Sequence, residues 1–178
     1  MLEVLPMDQY VWKVTQNYAS CEIGDPQYMT FLCNFYIVFG TEEMVFIDAG
    51  CGIDIFSVLN LFGGIHLDKK ITCIFTHWHD DHIFGLQSLS AKTEIVTAYA
   101  HPEDAEKIRK QLPNIPFKNI IDGAILLLGN INLQVYSTPG HTKGSITITS
   151  NKNHIFTGDA FNVGKDLMFI ADSDAFMR

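Results

Sequence analysis

The run Thr76-His77-Trp78-His79-Asp80-Asp81-His82 follows directly on the apolar stretch Ile71 to Phe75, and no other feature constrains the chain as much. Three of the seven histidines fall within it, beside acids. An apolar run that ends in imidazoles and carboxylates reads as a buried strand whose end delivers ligands to a cleft. His77, His79 and Asp81 alternate, so in extended backbone all three face one way. A divalent metal asks for that arrangement, with nitrogen and oxygen donors within about 2–2.2 Å of one point. Neutral imidazole is the commonest protein ligand for zinc-like ions, and carboxylate suits zinc, manganese or iron. The reading is a metal-binding chain.

At 178 residues, with 47% hydrophobic and 18% charged residues, the sequence describes one globular domain with its own core. Net charge is −8, from twelve basic and twenty acidic side chains. Basic residues gather only at Lys69-Lys70 and from Lys107 to Lys110, so there is no basic stripe and no nucleic-acid partner is expected. The four cysteines (Cys21, Cys33, Cys51, Cys73) form no Cys-x-x-Cys pair. Three lie in or beside expected core strands, where a thiol acts as a small hydrophobe. Met1-Leu2-Glu3-Val4 lacks the features of a signal peptide, and there is no apolar run long enough to span a bilayer. The expectation is a reduced, soluble, cytoplasmic protein with no membrane partner.

Strands are expected over Tyr10 to Thr15, Phe31 to Phe39 and Met44 to Ile47, the last two forming a hairpin around Gly40-Thr41-Glu42-Glu43. Gly52 to Leu61 has helical spacing, Ile71 to Phe75 is a buried strand, and His82 to Leu89 a short helix. Glu94 to Thr97 reads as a strand and His101 to Gln111 as a helix with Pro102 in its first turn. Strands return at Ala124 to Leu128, Ile131 to Tyr136, Ser145 to Thr149 and His154 to Thr157. Mixed βαβα units and later hairpins imply sheets covered by helices. Further donors stand on strand-end turns: His141 in Pro139-Gly140-His141, Asp159 in Thr157-Gly158-Asp159, and Asp48 after Val45-Phe46-Ile47.

His-x-His-x-Asp-His (His77, His79, Asp81, His82), then Pro-Gly-His (His141), then Gly-Asp (Asp159) resembles the metallo-β-lactamase superfamily, as does the earlier Asp48-Ala49-Gly50. The resemblance runs from about Phe31 to the C-terminus. It implies an α/β (α+β) fold, an αββα sandwich with a binuclear metal site at one edge of the sheets. By that resemblance His77, His79 and His141 hold a first metal, Asp81 and His82 a second, and Asp159 bridges them. Two Zn2+ ions per chain are the implied cofactor, with a single ion, Fe2+ or Mn2+ as alternatives. The implied activity is hydrolysis of a small-molecule ester or thioester by a metal-bound hydroxide, similar to the glyoxalase II-like branch. Asp81 is the catalytic candidate, orienting the hydroxide or carrying a proton, and Asp48 supports the ligand loop. An acid at Asp159 differs from the cysteine that true zinc β-lactamases place there.

Members with two metals carry a further histidine well after the Gly-Asp motif, and no histidine follows Asp159 here. Asp172 to Arg178 reads as a cap and first helical turn that is not continued. The expectation is therefore one domain over residues 1–178 that lacks the family's last helix and strand. Two other readings stand beside the hydrolase. One is a mononuclear iron oxidoreductase resembling persulfide dioxygenases, with His77, His141 and Asp159 as its triad. The other is an inactive, truncated member. His66, His101 and His154 are read as non-catalytic, Lys143 as solvated, and Phe161, Met168 and Phe169 as core. Trp78 either lines the cleft or packs in the core. No sequence signal fixes the oligomeric state.

Overall fold

The computed structural model describes residues 2–19, 30–52, 54–61, 69–90 and 96–161. The first half runs β1 (Leu2–Pro6), β2 (Val11–Ala19), β3 (Thr30–Phe39), β4 (Glu43–Ile47), α1 (Ile55–Asn60), β5 (Lys70–Ile74), α2 (Asp80–Ile83) and α3 (Leu86–Ser90). The second runs β6 (Val96–Ala100), α4 (Pro102–Gln111), β7 (Phe117–Asn119), β8 (Ile125–Leu127), β9 (Asn132–Ser137), β10 (Ile146–Ser150) and β11 (Ile155–Phe156), then a 3-10 turn at Gly158–Ala160. Among the described residues β1 to β7 form one sheet in sequence order, antiparallel as far as β4 and parallel from there on. β8 to β11 form a second, antiparallel sheet.

Both faces of β4 are buried, which is why its sequence is an apolar run without alternation. Met44 and Phe46 turn towards α1, α3 and α4 and pack with Phe35, Ile55, Leu59, Leu86 and Ile108. Val45 and Ile47 turn the other way, where with Val38 and Ile74 they meet Leu133, Val135, Ile146 and Ile148 of the second sheet. Helices, first sheet and second sheet thus stack as layers of the expected α/β sandwich. The segment from Asp172 to Arg178, on which the expected helical turn falls, lies outside the described residues. On the far face of the second sheet Ile125, Leu127, Tyr136 and Ile155 are exposed.

Several elements differ from the sequence reading. The helix expected from His82 to Leu89 is two short helices, α2 and α3, separated at Gly85. A Cβ at Gly85 would overlap the carbonyl oxygen of Ala49, so the chain bends where it touches the β4 end. The strand expected at Glu94 to Thr97 is described from Val96 and continues to Ala100, and that at His154 to Thr157 shrinks to Ile155–Phe156. β1 and β7 had no sequence signal: β1 is an edge strand with little buried, and β7 has only three residues. Phe161, expected in the core, is 54% exposed; Met168, Phe169 and His66 lie outside the described residues.

Phe46 is fully buried and stacks on Phe35 with ring centroids 6.4 Å apart. Phe46→Ala should destabilise the chain by about 3–5 kcal/mol, because the cavity lies between two fixed layers. Urea unfolding of the two proteins measures this, and a loss near zero would contradict the core assignment.

Candidate metal centre

Parallel strands β4 and β5 end at the same edge, and the turns after β9 and β11 open beside them, as ligand sites in α/β sheets do at strand C-termini. Asp48 leaves β4; Thr76, His77 and His79 leave β5; Asp81 and His82 lie on α2; His141 lies between β9 and β10; Asp159 follows β11. The Ile146 amide donates to the Thr76 carbonyl over 2.9 Å, tying the second sheet to the histidine loop. Two donor groups result, His77–His79–His141 and His77–His82–Asp159, each with its ligand atoms within 4.8 Å of one another. His79 Nδ1 lies 3.0 Å from His77 Nε2 and 2.8 Å from His141 Nε2. His82 Nε2 is 3.4 Å from Asp159 Oδ1 and 3.6 Å from Asp81 Oδ2, and the other Asp159 oxygen is 3.7 Å from His141 Nε2. The six expected ligands are therefore brought together, with Asp81 outside the two tightest groups.

Asp48 organises the buried side. Its Oδ1 accepts from the Thr76 amide (2.8 Å), and its Oδ2 accepts from Thr76 Oγ1 (2.8 Å) and His82 Nδ1 (2.9 Å). Thr76 Oγ1, having donated to Asp48, accepts from His77 Nδ1 at 3.1 Å. Protons on Nδ1 of His77 and His82 leave both Nε2 atoms turned to the centre, the orientation that metal-bound imidazoles need. Asp48 holds a left-handed backbone (φ 62°), a conformation that costs an L-residue energy and persists only where its surroundings fix it.

Burial pushes the His77 pKa well down, and repulsion from His82, His79 and His141 adds to it. His79 is lowered too, by burial and then His141. Both are thereby held neutral, the form in which an imidazole can bind metal. His82 goes the other way: burial alone would lower it, yet the Asp48 and Asp159 carboxylates outweigh that and hold it well above its ordinary value. Burial would raise Asp159, but the hydrogen bond and charge of His82, then His141 and His79, bring it below the usual range. Convergent neutral imidazole nitrogens beside an ionised carboxylate are a donor set that fits a zinc-like ion.

The chain belongs to the metallo-beta-lactamase superfamily, which residues 29–176 match. Lactamase-like protein nscB of Aspergillus fumigatus is 30% identical over 143 residues, 75% of this chain and 40% of that protein. The atrochrysone carboxyl ACP thioesterase of Aspergillus chevalieri is 28% identical over 153 residues, 82% of this chain and 47% of that protein. The chain thus spans less than half the length of these curated relatives. Among solved structures, a metallo-beta-lactamase from Pontibacter korlensis superposes with a TM-score of 0.65 at 22% identity, covering 85% of this chain and 68% of that one, and shares the fold.

Other expectations resolve as follows. Trp78 is half-buried, edge-on to His79 at 4.5 Å, with Lys107 Nζ 4.1 Å above its ring. His101 caps α4 by accepting from the Glu103 amide, and His154 pairs with Asp8 at 3.3 Å, so neither is at the centre. Lys143 is exposed. No helix among the described residues is long and apolar enough to cross a membrane. The sequence reading missed Thr76, which looked like a strand-end residue, and Asp104, buried beneath the His141 turn. An acid in a first helical turn looks like ordinary dipole complementarity, so nothing set Asp104 apart.

The Asp48–His82 pair makes a pH prediction for the metal-free chain. Folded His82 keeps its proton above the pH at which the unfolded chain releases it. Its contribution to stability is therefore full below about pH 6.5 and lost as pH rises through its raised value. Asp48→Asn removes the Asp48 charge that raises it and brings that pKa down. The stability gap between wild type and Asp48→Asn should be widest below about pH 6.5 and narrow above it, read by urea unfolding in chelator. A gap that does not change with pH would contradict the pairing.

Proposed function

We propose that the chain is a metal-dependent hydrolase of a small thioester or ester, with zinc as its metal. His77, His79 and His141 would hold one ion and Asp81 and His82 a second, with Asp159 a donor within reach of both groups. One observation carries this reading: the oxygens of Asp159 face different groups, Oδ1 towards His82 and Oδ2 towards His141. One carboxylate thereby offers an oxygen to each donor group. Bound metal supplies Lewis acidity towards a carbonyl oxygen and acidifies a water.

The chain's own residues set the rest. His82 and His141 side chains are 7% and 10% exposed, whereas Asp81 and Asp159 are 40% and 37% exposed. Substrate therefore approaches from the carboxylate side, with the imidazoles behind. Asp81 stands at that mouth, where its carboxylate orients the attacking water and takes its proton. A thiolate leaves with little acid help, since a thiol has a pKa of about 8.5, and this suits a mouth lined by carboxylates. The Aspergillus chevalieri relative, named as an ACP thioesterase, supports the thioester over the ester. A net charge of −8 favours a small-molecule substrate over nucleic acid. A single iron on His77, His141 and Asp159 is less well supported, because His79 Nδ1 crowds the same point at 3.0 and 2.8 Å from its neighbours.

The test is elemental analysis of protein purified without chelator, followed by thioester hydrolysis read as released thiol. Expected are bound zinc and turnover that chelation abolishes and zinc restores. Asp81→Asn should lower kcat by about 10²–10⁴ while the His77–His79–His141 group keeps its zinc. Iron with oxygen-dependent thiol oxidation would replace the hydrolase with the dioxygenase reading. A folded chain that retains no metal would end both.

A further inference from the structure

The turn that carries His141 is held by a residue from another part of the chain. Asp104, on the first turn of α4, is 2% exposed and touches none of the ligands by hydrogen bond or ion pair among the described residues. Its Oδ2 accepts from Thr142 Oγ1 over 2.6 Å, and its Oδ1 accepts from the Gly144 amide over 3.1 Å. Thr142 is the residue next to His141. Gly144 comes so close that an added Cβ would lie 2.6 Å from Asp104 Cγ, so only glycine permits the contact.

The hydrogen bonds around this carboxylate form a closed set. The Thr142 amide donates to Ser145 Oγ over 2.9 Å, and the Gly140 amide donates to the Thr142 carbonyl over 3.0 Å. The Thr142 and Ser145 hydroxyls are also 2.9 Å apart. An ionised carboxylate only accepts, so Thr142 Oγ1 gives its proton to Asp104 and receives that of Ser145. The turn thereby acquires one arrangement of protons and one conformation. Its anchor is rigid, because Ala105 and Ile108 of α4 are buried in the core between helices and sheet.

We propose that Asp104 is the positioning residue for His141, acting through Thr142 and Gly144 to hold the His141 imidazole against His79. The inference rests on the metal-binding reading of His77, His79 and His141. Loss of the two Asp104 contacts would loosen the residues that follow His141, and a loosened ligand weakens metal binding rather than the fold.

The test is Co2+ and Zn2+ binding by the full chain, with the cobalt d–d spectrum reporting ligand geometry. Asp104→Ala should weaken zinc binding roughly 10- to 100-fold and alter the cobalt spectrum. Asp104→Asn, which can still accept from Gly144 and bond Thr142, should restore most of both. Wild-type affinity and spectrum in Asp104→Ala, or an Asn variant as weak as Ala, would overturn the proposal. Should Asp104→Ala fail to fold, Thr142→Val removes one of the two contacts without changing side-chain shape: weakened binding supports the proposal and unchanged binding overturns it. His141→Ala separates the two readings. If it binds metal normally, the metal-binding reading fails and this inference with it; if it binds weakly while Asp104→Ala is normal, only the positioning role is lost.

Discussion

The Asp48 carboxylate is the constraint on which the centre depends. It stands at the end of β4, in a backbone conformation few side chains adopt, and binds the Thr76 amide, the Thr76 hydroxyl and the His82 ring. Through Thr76 it also fixes His77. One buried anion thus sets the ring orientation of two histidines from different elements. A buried carboxylate is tolerated only when its lone pairs are used, and Asp48 uses them on the groups that need orienting.

The sandwich supplies the stiffness that such a device needs. β4 and β5 are buried on both faces, so their ends can shift only if two packed layers shift with them. Ligands from the β9–β10 turn and from beyond β11 arrive from the second sheet, which is joined to the first by the core between them and by the Ile146 to Thr76 hydrogen bond. Ligand geometry is therefore a property of sheet packing. The loops add the donors, and the layers hold them at 2.8–3.0 Å spacings.

Electrostatics divides the site into an inner and an outer side. Inside, burial keeps His77 and His79 neutral and so available as ligands. Outside, Asp81 and Asp159 face solvent as acceptors. The same field reaches Cys33, whose thiol is pushed up to about 12 by burial, then by Asp81, Cys51 and Asp159. Cys33 is buried and belongs to neither donor group.

Much of this was legible in the sequence. Apolar runs that end in His or Asp marked strand ends, and the spacing of His77, His79, Asp81 and His82, with His141 and Asp159, picked out candidate donors that the fold brings together. Local chemistry is written in local order, so those residues could be read without coordinates. What could not be read is how distant segments hold one another. Asp48 was expected to support the ligand loop but not by which bonds, and Asp104 looked like a helix-terminal acid; only the folded chain puts Asp48 on His82 and Asp104 on Thr142. β1 and β7 were invisible because short or edge strands bury too little to leave a pattern, and the break at Gly85 follows from a contact with Ala49 that sequence spacing does not encode. The sequence alone singled out the candidate donor side chains. Tertiary structure decided which buried carboxylates aim them, because a hydrogen bond across 34 or 38 residues exists only once the layers have packed.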